Sequence, residues 1–169
     1  RILMGIDMSG SMESQTAGSI VMSAKEASAA IGYIFLGVEK HIQVIGFTTQ
    51  SYELNIGGRS DMSQILAEVN RFQGGTDIAV PIQYAIEHGT PADLFVILTD
   101  NETWAGNAHV HQLLDVYRKR MNPNAKLAVL AMTATQNSVA DAFDPNSIDI
   151  CGLSPDAVRL VGLFAKGEV

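Results

Sequence analysis

Residues 2–12 read ILMGIDMSGSM, and this stretch decides the fold. Its first five residues are apolar without alternation, which is typical of a short strand buried on both faces of a parallel sheet. The run ends at Asp7, and Ser9 and Ser11 follow at alternate positions, with Gly10 between them to let the backbone turn tightly. We therefore predict a buried strand whose carboxyl end carries one carboxylate and two hydroxyl groups.

Two other stretches bring oxygen side chains to the ends of predicted elements. Residues 94–99 read LFVILT, a second continuous apolar run, and Asp100 follows it directly. The loop at 75–77, GTD, precedes a helix that we expect to begin near Pro81, because proline is tolerated in the first turn of a helix. Ligands of α/β sheets bind at the carboxyl ends of the strands, where the strand order reverses. We therefore expect these loops to meet in one crevice.

The oxygen atoms of these loops make a donor set for a hard divalent cation. Asp7, Ser9, Ser11, Thr76 and Asp100 supply two carboxylates and three hydroxyls. Mg²⁺ prefers near-octahedral oxygen ligands and keeps some of its waters, and Mn²⁺ and Ca²⁺ also accept oxygen. Any one of these residues alone is more often a cap or a turn residue, but their joint placement favours a metal site. We predict Mg²⁺, with Mn²⁺ or Ca²⁺ as alternatives.

Strands and helices alternate along the rest of the chain. Two predicted strands are separated by a short turn, which indicates a hairpin with an antiparallel edge strand. The pattern predicts an α/β fold with a mostly parallel six-stranded sheet, one antiparallel edge strand and helices on both faces. The remaining predicted strands are 41–47, 51–56, 126–132 and 148–151. The first predicted helix is 19–38, the second is capped by Asp61 and Gln64, and the third begins near Pro81. Apolar residues from Val110 to Met121 mark the fourth helix, and the fifth begins at Ser154. We expect the helix at 19–38 to pack deep against the sheet, because it is apolar nearly all round.

Composition limits the class of protein. A chain of 169 residues suits one domain, so we treat residues 1–169 as a single unit. Its formal charge of -7 argues against a nucleic-acid surface on this domain, since phosphate binding uses clustered lysine and arginine. One cysteine cannot form an internal disulfide, and neither a signal peptide nor a membrane-spanning run is evident, so we expect a cytoplasmic protein. The chain begins within a strand, which indicates a domain excised from a larger protein.

The combined motif resembles the metal-ion-dependent adhesion site of von Willebrand A domains. It consists of Asp-x-Ser-x-Ser at 7–11, Gly-Thr-Asp at 75–77 and Thr-Asp at 99–100. The resemblance implies a Rossmann-like von Willebrand A fold in which the two serines and the threonine contact the metal or exchange with water. It implies that the two aspartates often act through water, and that a Glu or Asp of a partner protein completes the coordination.

A wider resemblance covers most of the chain. The segments 91–95, 99–103, 117–119, 125–127 and 151–152 look like the C-terminal domain of the Ro ribonucleoprotein (Ro autoantigen) family, and we favour a bacterial-type member. This resemblance implies a parent protein that binds small noncoding Y RNAs and defective, misfolded RNAs through a ring of helical repeats. No such ring lies in this chain, so we do not expect the domain alone to bind RNA tightly. The Asn-Glu-Thr that follows the last aspartate of the motif favours this intracellular family over extracellular relatives.

An enzyme is the competing class of function. Phosphatases that use an aspartyl-phosphate keep a second carboxylate two residues after the nucleophile, and that position holds Ser9. The P-loop motif and the Gly-x-Ser-x-Gly motif of serine hydrolases are both absent from the sequence. We therefore predict a binding module and not an enzyme. A stand-alone adhesion or scaffold domain unrelated to RNA is the main alternative, followed by a Mg²⁺-dependent phosphate-ester hydrolase.

Other notable residues have plainer interpretations. His109 and His111 are expected to be solvated or packed, since no third soft ligand lies near them in the sequence. The basic run at 118–120 suits the negative end of a helix dipole better than an RNA contact. Cys151 is expected to be a small buried hydrophobic residue. Trp104 stays open between an anchor for the metal loop and a partner contact.

Overall fold

Strand β1 lies in the middle of a six-stranded sheet. The computed structural model describes residues 1–13, 22–100, 107–133, 139–141, 143–152 and 154–169. Its elements are β1 Ile2–Asp7, a 3₁₀ turn Gly10–Glu13, α1 Ala24–Val38, β2 Ile42–Phe47, β3 Ser51–Glu53, α2 Met62–Val69, α3 Val80–His88, β4 Leu94–Thr99, α4 Asn107–Arg120, β5 Lys126–Ala131, β6 Ser147–Cys151 and α5 Pro155–Lys166.

The strand order is β3-β2-β1-β4-β5-β6, and every neighbouring pair is parallel except β2 with β3. The order reverses at β1, which has β2 on one edge and β4 on the other. The register places Asp7 beside Phe47, and Ile6 beside Leu98. The prediction of a mostly parallel six-stranded sheet with an antiparallel edge strand is therefore confirmed, and the crevice at the reversal lies beside Asp7.

Helices cover both faces of the sheet, as predicted. Met4 and Ile6 belong to the core that α1, α2 and α5 complete, whereas Leu3 belongs to the core under α3 and α4. Alternate residues of a strand point to opposite faces, so a continuous apolar run is required when both faces are covered. A Cβ atom on Gly5 would lie 2.5 Å from Cγ of Pro81. Glycine at this position therefore lets the start of α3 pack directly against β1.

Helix α1 begins later than predicted. Ser23 caps it, with the Ser23 hydroxyl accepting from the Glu26 N–H and the Glu26 carboxylate accepting from the Ser23 N–H. This capping box fixes the start at Ala24 rather than Ser19; residues 14–21 lie outside the described part of the chain. The helix packs against the sheet as expected, but not all of its apolar side chains are buried, because Ile34 and Val38 are 45% and 68% exposed. The helix covers the sheet with one face and leaves the other in solvent.

Two local expectations at the edges of the sheet are wrong. Strand β3 ends at Glu53 rather than Ile56, because the Asn55 N–H donates to the Glu68 carboxylate of α2 and so turns away from β2. Cys151 is exposed and not buried. It is the last residue of β6, an edge strand, and it follows the buried Ile150. Because side chains alternate between the two faces of a strand, Cys151 lies on the face opposite to Ile150, where it is exposed at the end of the strand.

Candidate metal site

Asp7 lies buried at the carboxyl end of β1, where two hydrogen bonds fix its carboxylate. Oδ1 accepts from the Ser9 N–H at 2.8 Å, and Oδ2 accepts from the Thr99 hydroxyl at 2.7 Å. The first bond closes an Asx turn that bends the chain after the strand. The second joins the ends of β1 and β4. The carboxylate is therefore held in one orientation by groups from two neighbouring strands.

The loop after Asp7 brings its two serine hydroxyls together. Ser9 Oγ lies 3.1 Å from Ser11 Oγ, and the Met12 N–H donates to the Ser9 carbonyl at 3.2 Å within the 3₁₀ turn. Met8 and Met12 are completely buried, while Ser11 is partly exposed. The methionines anchor the loop in the core, and the two serine oxygens lie next to each other beside Asp7.

Met8 also explains a small residue in the neighbouring strand. A Cβ atom on Gly46 would come within 2.5 Å of the Met8 sulfur and terminal methyl. Glycine in β2 therefore makes the space that the Met8 side chain fills. The loop depends on this fit, because a side chain at position 46 would push against its buried anchor.

Asp100 follows β4 and is buried close to Asp7. The Thr133 hydroxyl donates to the Asp100 carbonyl oxygen, and the Met132 N–H donates to the Thr99 carbonyl at 2.7 Å. Burial raises the pKa of Asp7 to about 6; the Asp100 charge adds to this rise, while hydrogen bonds from Ser9 and Thr99 oppose it. Two buried carboxylates thus share this site, and a bound cation would favour the ionised form of Asp7.

The loop that carries Thr76 lies against the first loop. The Gly10 N–H donates to the Gly74 carbonyl at 3.3 Å, and the Asp77 N–H donates to the Thr48 carbonyl at 3.1 Å. Thr76 itself is half-buried. The neighbouring Asp77 uses its carboxylate to accept from the Ala79 N–H at 3.0 Å, just before α3. The structure therefore brings together the three loops that the sequence indicated, with Asp77 acting as a turn residue.

The donor set fits a hard cation with mixed oxygen ligands. Among the described residues, no three His, Cys, Asp or Glu side chains cluster as a metal-binding group. The candidate site instead combines two buried carboxylates with neighbouring hydroxyls. Mg²⁺ and Mn²⁺ suit such a set because both accept neutral oxygen atoms and retain water in the remaining positions.

The sequence analysis assigned no role to the two threonines that support these loops, although Thr99 is part of the Thr-Asp motif. Thr99 is buried and binds Asp7, and Thr133 binds the main chain of Asp100. Thr99 carries a visible signal, since it is the hydroxyl residue that ends an otherwise apolar strand. Thr133 lies two residues beyond the end of β5, and its partner becomes apparent only once β4 and β5 are paired.

The other residues singled out in the sequence lie away from the site or beyond the described residues. The Arg118 guanidinium pairs with Asp144 at 2.8 Å and donates to the Ala125 carbonyl at 2.9 Å, so it is engaged within the domain. His111 is half-buried in α4, whereas Trp104 and the side chain of His109 fall outside the described part of the chain. None of the described helices is long and apolar enough to cross a membrane.

Comparisons with known proteins agree with this architecture. The chain is 36% identical over 171 residues to the RNA-binding protein RO60 of Deinococcus radiodurans and 32% identical to the RNA-binding protein RO60 of Caenorhabditis elegans, in each case over 100% of this chain. It spans only 32% and 26% of the length of these relatives.

Solved structures give the same picture of the fold. The crystal structure of the D. radiodurans RO (RSR) protein matches 100% of this chain and 34% of its own, with a TM-score of 0.88 and 34% identity. The manganese-loaded Plasmodium vivax TRAP protein shares the fold alone, with a TM-score of 0.62 at 17% identity over 97% of this chain and 72% of its own. A family model described as the Ro60 vWA domain matches residues 1–165. The chain therefore belongs to the family of Ro60 von Willebrand A domains.

Proposed function

We propose that this domain is a non-catalytic, divalent-metal-dependent protein-interaction module of a Ro-like RNA-binding protein. The observation that carries the proposal is the meeting of three loops at the sheet reversal, with the carboxylate of Asp7 fixed between Ser9 and Thr99. We infer Mg²⁺ as the cation, with Mn²⁺ or Ca²⁺ as alternatives, because the donors are all oxygen.

The five candidate ligands divide into two roles in this proposal. The hydroxyls of Ser9, Ser11 and Thr76 would hold the cation directly, and Asp7 and Asp100 would hold it mainly through water. Bound in this way, the cation supplies an open coordination position with strong attraction for an anion. Neutral hydroxyls cancel little of its charge, so a Glu or Asp side chain from a partner protein is the ligand that we expect there.

A binding role accounts for the site better than hydrolysis does. The position that would hold a proton donor in an aspartyl-phosphate enzyme is Ser9, whose hydroxyl lies against Ser11 instead. A phosphate-ester hydrolase is the second candidate, since buried Asp7 stands at the end of the first strand. Hydrolysis of p-nitrophenyl phosphate with Mg²⁺ separates the two functions. We expect no turnover above that of an Asp7→Ala variant.

RNA binding belongs to the parent protein in this proposal. The relatives that share the family are named RNA-binding proteins, and this chain spans only about a third or less of their length. The domain itself carries a formal charge of -7, and Arg118 is already paired with Asp144. We therefore assign binding of Y RNAs and misfolded RNAs to the remainder of the parent, and we place the protein in the cytoplasm.

Thermal unfolding with and without metal tests the metal-dependent part of the proposal. Mg²⁺ or Mn²⁺ should raise the melting temperature above that in EDTA, with Ca²⁺ less effective, because a ligand at a hundredfold excess over its Kd adds about 3 kcal/mol to stability. Ser9→Ala should remove most of this shift, while Ser63→Ala, which changes an exposed serine of α2, should retain it. Identical melting curves in EDTA and in millimolar Mg²⁺ would contradict the proposal.

A further inference from the structure

Lys25 is a buried cation next to the candidate metal loop. Its side chain is 1% exposed, and its Nζ lies 2.8 Å from Oε1 of Glu13. Lys25 is the second residue of α1, and Glu13 ends the 3₁₀ turn that contains Ser11. An ammonium group is rarely buried in a protein unless an anion pairs with it. The Lys25–Glu13 ion pair therefore joins the metal loop to the start of the helix.

The nearby acidic residue Glu26 is already used for another purpose. Its carboxylate accepts from the Ser23 N–H at 2.8 Å and from the Ser23 hydroxyl at 3.2 Å, as part of the capping box of α1. Glu13 is thus the carboxylate that the structure gives to Lys25. The start of α1 is fixed by its own cap, so Lys25 offers the loop a rigid point of attachment.

We propose that Lys25 is a positioning residue for the metal site. Its ion pair with Glu13 holds the 3₁₀ turn in the geometry that keeps the hydroxyls of Ser9 and Ser11 3.1 Å apart before a cation binds. Preorganised donors raise affinity because less freedom is lost on binding. The inference rests on the proposed metal-binding function of this loop. It assigns the buried ammonium group of Lys25 a role in shaping the metal site.

The test uses three variants and one matched control. Lys25→Met keeps the length of the side chain without its charge, Glu13→Gln removes the partner charge, and the double variant carries both changes. Ser28→Ala is the control, because Ser28 is buried on α1 one turn from Lys25 and its hydroxyl has no hydrogen-bond partner among the described residues. The control alters the same face of the helix and leaves the ion pair intact.

The first measurement is Mn²⁺ affinity by calorimetric titration. Each single variant should lose about tenfold in affinity, which is typical when a group that orients metal ligands is removed. The double variant should lose no more than either single variant, because both break the same ion pair. Ser28→Ala should bind as the wild type does. Equal or tighter Mn²⁺ binding by Lys25→Met, or additive losses in the double variant, would overturn the proposal.

Hydrogen exchange in EDTA tests the positioning without any metal. The Met12 amide, which donates to the Ser9 carbonyl, should exchange faster in Lys25→Met than in the wild type or Ser28→Ala. Unchanged exchange would contradict the role of Lys25 even if metal affinity fell. Failure of the wild type to bind any cation would instead refute the proposed function, so the two failures are distinguishable.

Discussion

The hydroxyl of Thr99 donates a 2.7 Å hydrogen bond to Oδ2 of Asp7 across 92 residues of sequence. Both groups are buried, and the bond joins the carboxyl ends of the central strands β1 and β4, where the candidate metal loops meet. A hydroxyl in this position favours the ionised form of the carboxylate.

Thr99→Val should destabilise the metal-free protein at neutral pH by about 2 kcal/mol. The change preserves shape but leaves a buried carboxylate with one donor fewer, and hydrogen bonds to charged groups contribute in this range. Urea denaturation in EDTA measures the effect. Thr49→Val, at an exposed position in the β2–β3 turn, is the control and should change stability little. Equal stabilities for the two variants would show that the Thr99 hydroxyl does not stabilise Asp7.

The metal-free domain should lose stability through Asp7 as pH rises from about 4 to about 6. Burial raises the pKa of Asp7 to about 6, so within this window the folded chain retains a proton that the unfolded chain releases. The full effect is on the order of 3 kcal/mol above pH 6 and vanishes below pH 4. Denaturation across this range in EDTA should show the decline for the wild type but not for Asp7→Asn.

The comparison with Asp7→Asn is needed because other acids act in the opposite direction. A hydrogen bond from the Arg1 side chain lowers the pKa of Asp93, so that carboxylate adds stability above its unfolded pKa and loses it as the pH falls. Saturating Mg²⁺ should reduce the decline caused by Asp7, because a cation favours the ionised carboxylate. A difference between wild type and Asp7→Asn that does not vary with pH would contradict the raised pKa.

Arg118→Met should cost about 2 kcal/mol of stability. The guanidinium is mostly buried and joins α4 to the carboxylate of Asp144 and to the carbonyl of Ala125. Its loss removes the cation paired with Asp144 and the side-chain donor to the Ala125 carbonyl. Lys119→Met is the control, since Lys119 is exposed on the same turn of the helix. Chemical denaturation of both variants checks the prediction. A larger loss for Lys119→Met than for Arg118→Met would contradict it.

The domain alone should not bind Y-type RNA with submicromolar affinity at physiological salt. A surface with a formal charge of -7 repels phosphate, and the one basic cluster of α4 has Arg118 paired internally. Filter binding of a Y-type RNA to residues 1–169 at two salt concentrations is the measurement, with a known RNA-binding protein as the positive control. Tight binding that weakens steeply with salt would overturn this expectation and assign Lys119 and Arg120 a role as contacts.

The sequence was informative where local pattern and sheet topology act together. The apolar run before Asp7 predicts a doubly covered strand, and the loops after two such strands must lie at the same edge of a parallel sheet. The bounds of β3 could not be predicted in this way, because they depend on Glu68 of α2 accepting the Asn55 N–H. Burial of Lys25 was equally inaccessible, since a lysine early in a helix is usually solvated and its partner precedes the helix.

The start of α1 could have been predicted from its capping residues, but apolar residues before the cap made the helix look longer. Ser23 and Glu26 have the spacing of a capping box, yet the apolar residues before them extend the helical pattern towards Ser19. Hydrogen bonding at the cap decided the boundary. Cys151 is exposed at the end of β6, the last strand of the sheet. Such positions require knowledge of the strand order.

The central place of β1 has a consequence for synthesis on the ribosome. Within this domain, β1 is made before the strands that pair with it, and its second edge stays unpaired until β4 at residues 94–99 has also left the exit tunnel. A nascent chain that stops earlier holds Asp7 without Thr99 or Asp100, and its exposed strand edge can pair with other chains. Cation binding would then begin only when the middle of the sheet closes. In a translating cell, a chain that has bound the metal would be one in which β4 already pairs with β1, so its most aggregation-prone stage has passed.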